Sequence, residues 1–120
     1  LKIGERISIL RDGSIVQDDN PQKIILNPSD KYVSDFIKDI NRSRVIKAKS
    51  IMTKSISIKK ENVPIIDSDM VLEEVLQEIT KTKYYFVYVK DNKNKIIGKI
   101  TLKQLLSGIQ RPRQENKKYA

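Results

Sequence analysis

The chain has 120 residues with 24 Lys and Arg against 15 Asp and Glu, a formal charge of +9, 38% hydrophobic side chains, and neither cysteine nor histidine. That composition excludes disulfides, thiol nucleophiles, imidazole bases and the commonest zinc ligands, so catalysis is not expected of it. The length suits one domain, or a small domain with a piece of another; no apolar run approaches the roughly 20 residues of a membrane-spanning helix, and the charge directs attention to nucleic acid, an anionic membrane face or an acidic partner.

The chain opens on Leu1, in what reads as the middle of an element, as expected of a fragment. In ERISILRDGSIVQ (5–17), Ile7, Ile9 and Ile15 lie in β-prone runs on either side of Asp12-Gly13. An Asp-Gly pair between such runs predicts a hairpin, because both residues tolerate positive φ. Asn20 then supplies a helix cap and Pro21 a first helical position, opening a short helix over Gln22 to Leu26 that Asn27-Pro28 stops. A second helix is expected from about Asp30 to Ile40, with Tyr32, Val33, Phe36, Ile37 and Ile40 on one face that needs covering.

This first stretch resembles the end of the nucleotide-binding subunit of an ABC importer, most closely the glycine betaine/proline (quaternary amine) branch. The resemblance is carried by Arg6, Ile7, Ile9, Arg11, Asp12, Gly13, Ile15, Val16, Gln17, Pro21, Ile24, Pro28, Tyr32, Val33 and Phe36. Asp19 and Asn20 stand where that family has glycine and threonine, a departure confined to a turn. The resemblance implies a parent subunit that hydrolyses ATP with Mg, through phosphate-loop, Walker-B, signature and switch-histidine motifs lying upstream of Leu1. No G-x-x-x-x-G-K-[ST] occurs in the chain, so it is not expected to be an enzyme by itself or to hold a cofactor of its own.

From Lys38 to Lys60 the sequence turns basic, with Lys38, Arg42, Arg44, Lys47, Lys49, Lys54, Lys59 and Lys60 against Asp39 alone. Two readings stand side by side, a solvated linker over 41–47 with the edge of a domain, or a cationic face (Arg42, Arg44, Lys47, Lys49, Lys54, Lys59, Lys60) presented to an anionic membrane surface. The run lacks aromatic residues to stack bases and the chain has no nucleic-acid motif, which argues against a nucleic-acid partner.

A second domain is expected over 48–108. Ala48 to Met52 reads as a helical turn, Ile56 and Ile58 alternate with polar residues as a strand, and Pro64 marks an edge or bend before Ile65-Ile66. Asp67, Ser68 and Asp69 offer caps for a helix over Met70 to Thr80, with Val71, Leu72, Val75, Leu76 and Ile79 as its apolar stripe. The adjacent Glu73 and Glu74 belong to the exposed first turn, where the helix dipole favours anions, and not to an acid–base pair. Two strands follow, from Tyr84 to Val89 and from Lys95 to Ile100, and Thr101 opens a leucine-bearing helix. Residues 109–120 form a basic tail broken by Pro112.

This order resembles a CBS repeat through Ala48, Ile51, Met52, Leu72, Val75, Leu76, Val87, Val89, Asp91, Ile97, Gly98, Ile100, Thr101, Leu105 and Leu106. The expected fold class is α+β (mixed α/β): the end of an ATPase domain over 1–40, then a β-α-β-β-α CBS domain. The family's adenosine-binding pattern implies ligand contacts at Gly98, Ile100 and Thr101, but Gln104 occupies the position of its aspartate. An amide lacks the charge that strengthens a bond to a ribose hydroxyl.

Together the resemblances imply a regulatory end of an osmoprotectant importer's ATP-binding subunit, on the cytoplasmic side of the membrane. Its partners would be a permease, a second ATPase subunit and a second CBS repeat, supplied in sequence or by a homodimer. The signal gating it would be ionic strength at an anionic membrane or, alternatively, an adenine nucleotide or cyclic dinucleotide at the CBS module.

Overall fold

A computed structural model describes residues 5–55, 58 and 62–110, and the chain divides into two compact units at Asn41/Arg42. In the first unit, strands β1 (Ile7–Arg11) and β2 (Ser14–Asp19) form the expected antiparallel hairpin. Asp12 (φ 52°) and Gly13 (φ 81°) both take positive φ, as a tight two-residue hairpin loop requires. Helix α1 (Pro21–Leu26) begins where the sequence indicated, the Asn20 side chain accepting the Lys23 N–H at 3.0 Å.

Gln17 then fastens hairpin to helices. Its side chain donates to the Asn27 carbonyl at 3.1 Å and accepts from the Ser29 N–H at 2.9 Å. Helix α2 (Lys31–Ile37) is capped by Asp30, whose carboxylate accepts the Val33 N–H at 2.9 Å, and it ends three residues before the expected Ile40. Of the five apolar residues expected on one face, Val33 alone is fully buried, in a core with Ile9 and Ile24. Tyr32 and Ile37 pack at its margin, whereas Phe36 is 67% exposed and Ile40 also lies outside. A helix of under two turns on a two-stranded ribbon has room to cover only the residues aimed at the ribbon.

The second unit contains helix α3 (Arg42–Val45), helix α4 (Ala48–Ile51), strand β3 (Thr53–Lys54), strand β4 (Ile65–Asp67), helix α5 (Leu72–Ile79), strand β5 (Phe86–Lys90), strand β6 (Ile96–Thr101) and helix α6 (Leu102–Ile109). Its sheet has the order β3-β6-β5-β4, with β4 parallel to β5 and the other pairs antiparallel. Ile66, Val87, Val89 and Ile100 are buried on the sheet, and Leu72, Val75 and Ile79 of α5 with Leu105 of α6 are buried on the helices. Helix α5 packs on β5 and α6, and α6 on β6, so one sheet face carries the helical layer.

Four expectations shift. The first strand is Thr53–Lys54, paired to Lys99 and Gly98, and not Ile56 with Ile58; Ile58 is exposed outside any strand, and Ile56 lies outside the described residues. The Tyr84–Val89 strand begins at Phe86, after Tyr85 turns into positive φ. Asp67, Ser68 and Asp69 do not cap α5. The helix starts at Leu72 behind an extended Val71 that bridges to Lys47, and the Leu72 N–H is received by the Ile46 carbonyl at 3.0 Å. The segment 41–47, expected as a solvated linker, belongs from Arg42 onward to the second unit. Ile46 is fully buried, the Ala48 N–H reaches Met70 O at 2.8 Å, and α3 packs on α5 and α6.

Candidate functional site

Thr101 and Gln104 form one constellation at the start of α6. Thr101 is both the last residue of β6 and the helix cap. Its hydroxyl accepts the Gln104 N–H at 3.2 Å, and the Gln104 side-chain carbonyl accepts the Thr101 N–H at 2.8 Å and its hydroxyl at 3.2 Å. This reciprocal capping box satisfies donors that a helix N-terminus otherwise leaves without partners. The Gln104 amide also donates to the Thr53 hydroxyl on edge strand β3. Thr53 was not singled out from the sequence, since nothing local pairs it with a residue 51 positions away.

The other two candidates have packing roles. Ile100 is fully buried in the core. Gly98 lies beneath Met52, where an added Cβ would stand 2.8 Å from the Met52 Cγ and closer still to its sulfur. A side chain at 98 would push the Met52 thioether out of its place.

The cationic candidates are largely turned toward partners of their own. Arg42 is half-buried and its Nε donates to the Gly108 carbonyl at 2.8 Å, burial lowering its pKa from the usual value. Arg44 meets Glu73 at 3.4 Å. Lys47 and Lys49 share Asp69, at 3.9 and 2.9 Å, and the hydrogen bond from Lys49 is the main reason that this carboxyl is held below its ordinary range. Lys54 is exposed on β3, and Lys59 and Lys60 lie outside the described residues.

The second cationic set was missed in the sequence because it is assembled by strand alternation. Directly opposed residues share a sheet face, which places Thr53, Ile65, Phe86, Tyr88 and Lys99 together on the face away from the helices. Phe86 and Tyr88 meet edge to face at 5.4 Å, and Tyr84 and Phe86 are tilted at 6.2 Å. The Lys99 ammonium lies 4.3 Å from the centre of the Phe86 ring and that of Lys83 lies 5.5 Å from the Tyr84 ring. An open pocket of about 320 Å³ at this end of the sheet is lined by Asn62, Pro64, Lys81, Thr82, Lys83 and Tyr84. Among the described residues no cluster of carboxylates is arranged to hold a metal ion, and no helix is long and apolar enough to cross a membrane.

Comparison with known proteins identifies residues 48–111 as a CBS domain. The chain is similar to the glycine betaine transport ATP-binding protein OpuAA of Bacillus subtilis, 31% identical over 83% of this chain and 22% of that protein. It is likewise similar to the trimethylamine N-oxide transport system ATP-binding protein TmoW of Pelagibacter ubique, 34% identical over 83% of this chain and 29% of that protein. The carnitine transport ATP-binding protein OpuCA of Listeria monocytogenes is 32% identical over 88% of this chain and 26% of its own length. This chain therefore spans between about a fifth and a third of these relatives. Among solved structures, a CBS domain-containing protein of unknown function from Bacillus anthracis aligns with 86% of the chain and 66% of its own, at 12% identity and a TM-score of 0.35.

Proposed function

The chain belongs to the CBS domain family, and from that premise we propose that it is the C-terminal regulatory part of the ATP-binding subunit of an importer for glycine betaine-like solutes. One observation carries this reading. The relatives match across both units in a single alignment, hairpin and helices first and CBS domain second, over 83% to 91% of the chain, and each is named as an ATP-binding protein of a betaine, carnitine or trimethylamine N-oxide transport system. ATP and Mg would be held by the parent subunit's ATPase motifs and not by these residues. Its partners would be a membrane-embedded permease, a second ATP-binding subunit and a second CBS repeat, and it would work at the cytoplasmic face of the membrane.

The regulatory step follows from charge. A module this basic is drawn to an anionic leaflet at low ionic strength, and salt weakens the attraction as the Debye length falls from about 10 Å at 0.1 M to about 3 Å at 1 M. Rising internal salt under osmotic stress would release the module and free the transporter to work. Co-sedimentation of the chain with vesicles, across a KCl series and with phosphatidylglycerol varied, tests this. Binding is expected to need the anionic lipid and to fall steeply with salt; binding indifferent to both, or none at low salt, overturns it.

The nucleotide alternative is less favoured by the geometry, because Thr101 and Gln104 already satisfy one another and Thr53. A ligand on those groups would have to replace bonds that hold the start of α6.

A further inference from the structure

We propose that helix α6 is a connecting rod between the Thr101 and Gln104 constellation and the junction of the two units, with Arg42 as the grip that holds its far end. The chain passes from the first unit to the second at Asn41/Arg42, so Arg42 is the second unit's first residue. Its Nε donates at 2.8 Å to the Gly108 carbonyl, 66 positions further along and in the last turn of α6. Carbonyls of a last helical turn lack partners within the helix and carry the negative end of its dipole, which suits a cation. That turn of α6 has no basic residue of its own, so the cation comes from the start of α3.

The rod is fastened at its start and packed along its length. The Gln104 side-chain carbonyl accepts the Thr101 N–H at 2.8 Å, and its amide donates to the Thr53 hydroxyl on β3. Leu105 is fully buried, and a Cβ added at Gly108 would stand 3.1 Å from the Leu72 Cδ1 and 3.3 Å from the Ile51 Cδ1. A helix packed this closely shifts as one piece, because a dense interior leaves no room for it to bend. Leu102–Ile109 has eight residues and is about 12 Å long, so a displacement at Thr101 arrives at Gly108.

At the other side of the grip, α3 is a single turn, closed by the Ile46 N–H donating to the Arg42 carbonyl at 2.9 Å. Whatever moves Arg42 moves the turn through which the chain enters from the first unit. The exposed pairs of Arg44 with Glu73 and Lys49 with Asp69 also fasten this segment, but ion pairs in water hold it weakly. The geometry stands without the regulatory reading, whereas its use rests on that reading: α6 and Arg42 would carry an event at Thr101 and Gln104 toward the ATP-binding domain.

Residue-resolved amide exchange by NMR on the full chain tests this. The Ile46 N–H reports the junction, and the Tyr88 N–H, which donates to the Pro64 carbonyl at 3.0 Å, reports the sheet. Gln104→Ala removes the tie between α6 and Thr53 and is expected to speed exchange at Ile46, relative to Tyr88, by roughly threefold to tenfold. Arg42→Gln alone should act on Ile46 by a similar factor, and adding Gln104→Ala to it should change Ile46 by less than about twofold further. Should circular dichroism show Arg42→Gln to be unfolded, Arg42→Lys takes its place, since it keeps the cation and loses the guanidinium Nε. An effect of Gln104→Ala that persists in full beside the Arg42 variant overturns the grip, and assigns the motion to the core through Leu72, whose N–H donates to the Ile46 carbonyl. Equal acceleration at Ile46 and Tyr88, as a general loss of stability would give, or no acceleration at Ile46, overturns the inference as well. Each of these failures leaves the reading as part of an importer subunit standing, because vesicle binding tests that reading separately.

Discussion

The two units differ in how much of their apolar surface they cover themselves. Among the described residues the first has a small core of Ile9, Ile24 and Val33, with Ile25 also buried, and it leaves Ile7, Leu10, Ile15 and Phe36 exposed. The second buries both sides of a sheet–helix interface, from Ile66, Val87, Val89 and Ile100 to Leu72, Val75, Ile79 and Leu105. Large apolar residues left exposed around so small a core mark surface that meets something else, whereas the larger core, even with Ile65, Tyr85 and Leu106 exposed, marks a module that holds more of its own shape. In the proposed function these are complementary properties. The first unit would be a margin of a larger ATP-binding domain, and the second a module with a core of its own that the margin carries.

Leu72→Ala should break the second unit most severely. Leu72 is fully buried at the start of α5, where a Cβ added at Gly108 of α6 would stand 3.1 Å from its Cδ1, and its N–H donates to the Ile46 carbonyl. Truncation is expected to cost about 2–5 kcal/mol. Peptide-resolved hydrogen exchange should show the loss over residues 42–110 while residues 5–41 keep their own protection; a uniform loss in both would contradict the independence of the two units.

A smaller effect, about 0.5–2 kcal/mol, is expected from Thr101→Ala, which removes one side of the capping box. Urea denaturation measures it, and calorimetry with ATP, AMP and cyclic di-AMP on the same variant separates cap from ligand contact. A cap alone predicts lower stability with no change in ligand heats. Ligand heats seen in the parent chain and abolished in a variant of unchanged stability would restore the nucleotide reading.

Much of this architecture could be read from local chemistry. Asp12-Gly13, Asn20-Pro21 and Thr101 each act within a few residues of themselves, and each stands where its turn or cap requires it. Reading failed where a distant partner decided the outcome. Asp67, Ser68 and Asp69 have the composition of caps, yet the Ile46 carbonyl supplies the bond at the start of α5 and leaves Asp69 to Lys49. The basic run was conspicuous because its residues are consecutive, but the carboxylates that pair with it come from 69 and 73. Lys83 and Lys99 are separated by a strand and a turn, and only the register of β5 with β6 shows that they flank one aromatic row.

The smallest effect, and the one that bears most directly on the contrast between the units, is expected at Phe36. It projects from α2 with 67% of its surface exposed, so Phe36→Ser should change the stability of this chain by no more than about 0.5 kcal/mol. A parent subunit that folds further chain against α2 would bury the same ring, and burying a phenylalanine side chain contributes about 1.5–3 kcal/mol. The substitution should then be several times more costly in that longer protein than in this one, as measured by urea denaturation of each. Equal, small effects in both would mean that the exposed face of α2 is not covered by the ATP-binding domain, and that the first unit's open surface is available to another partner.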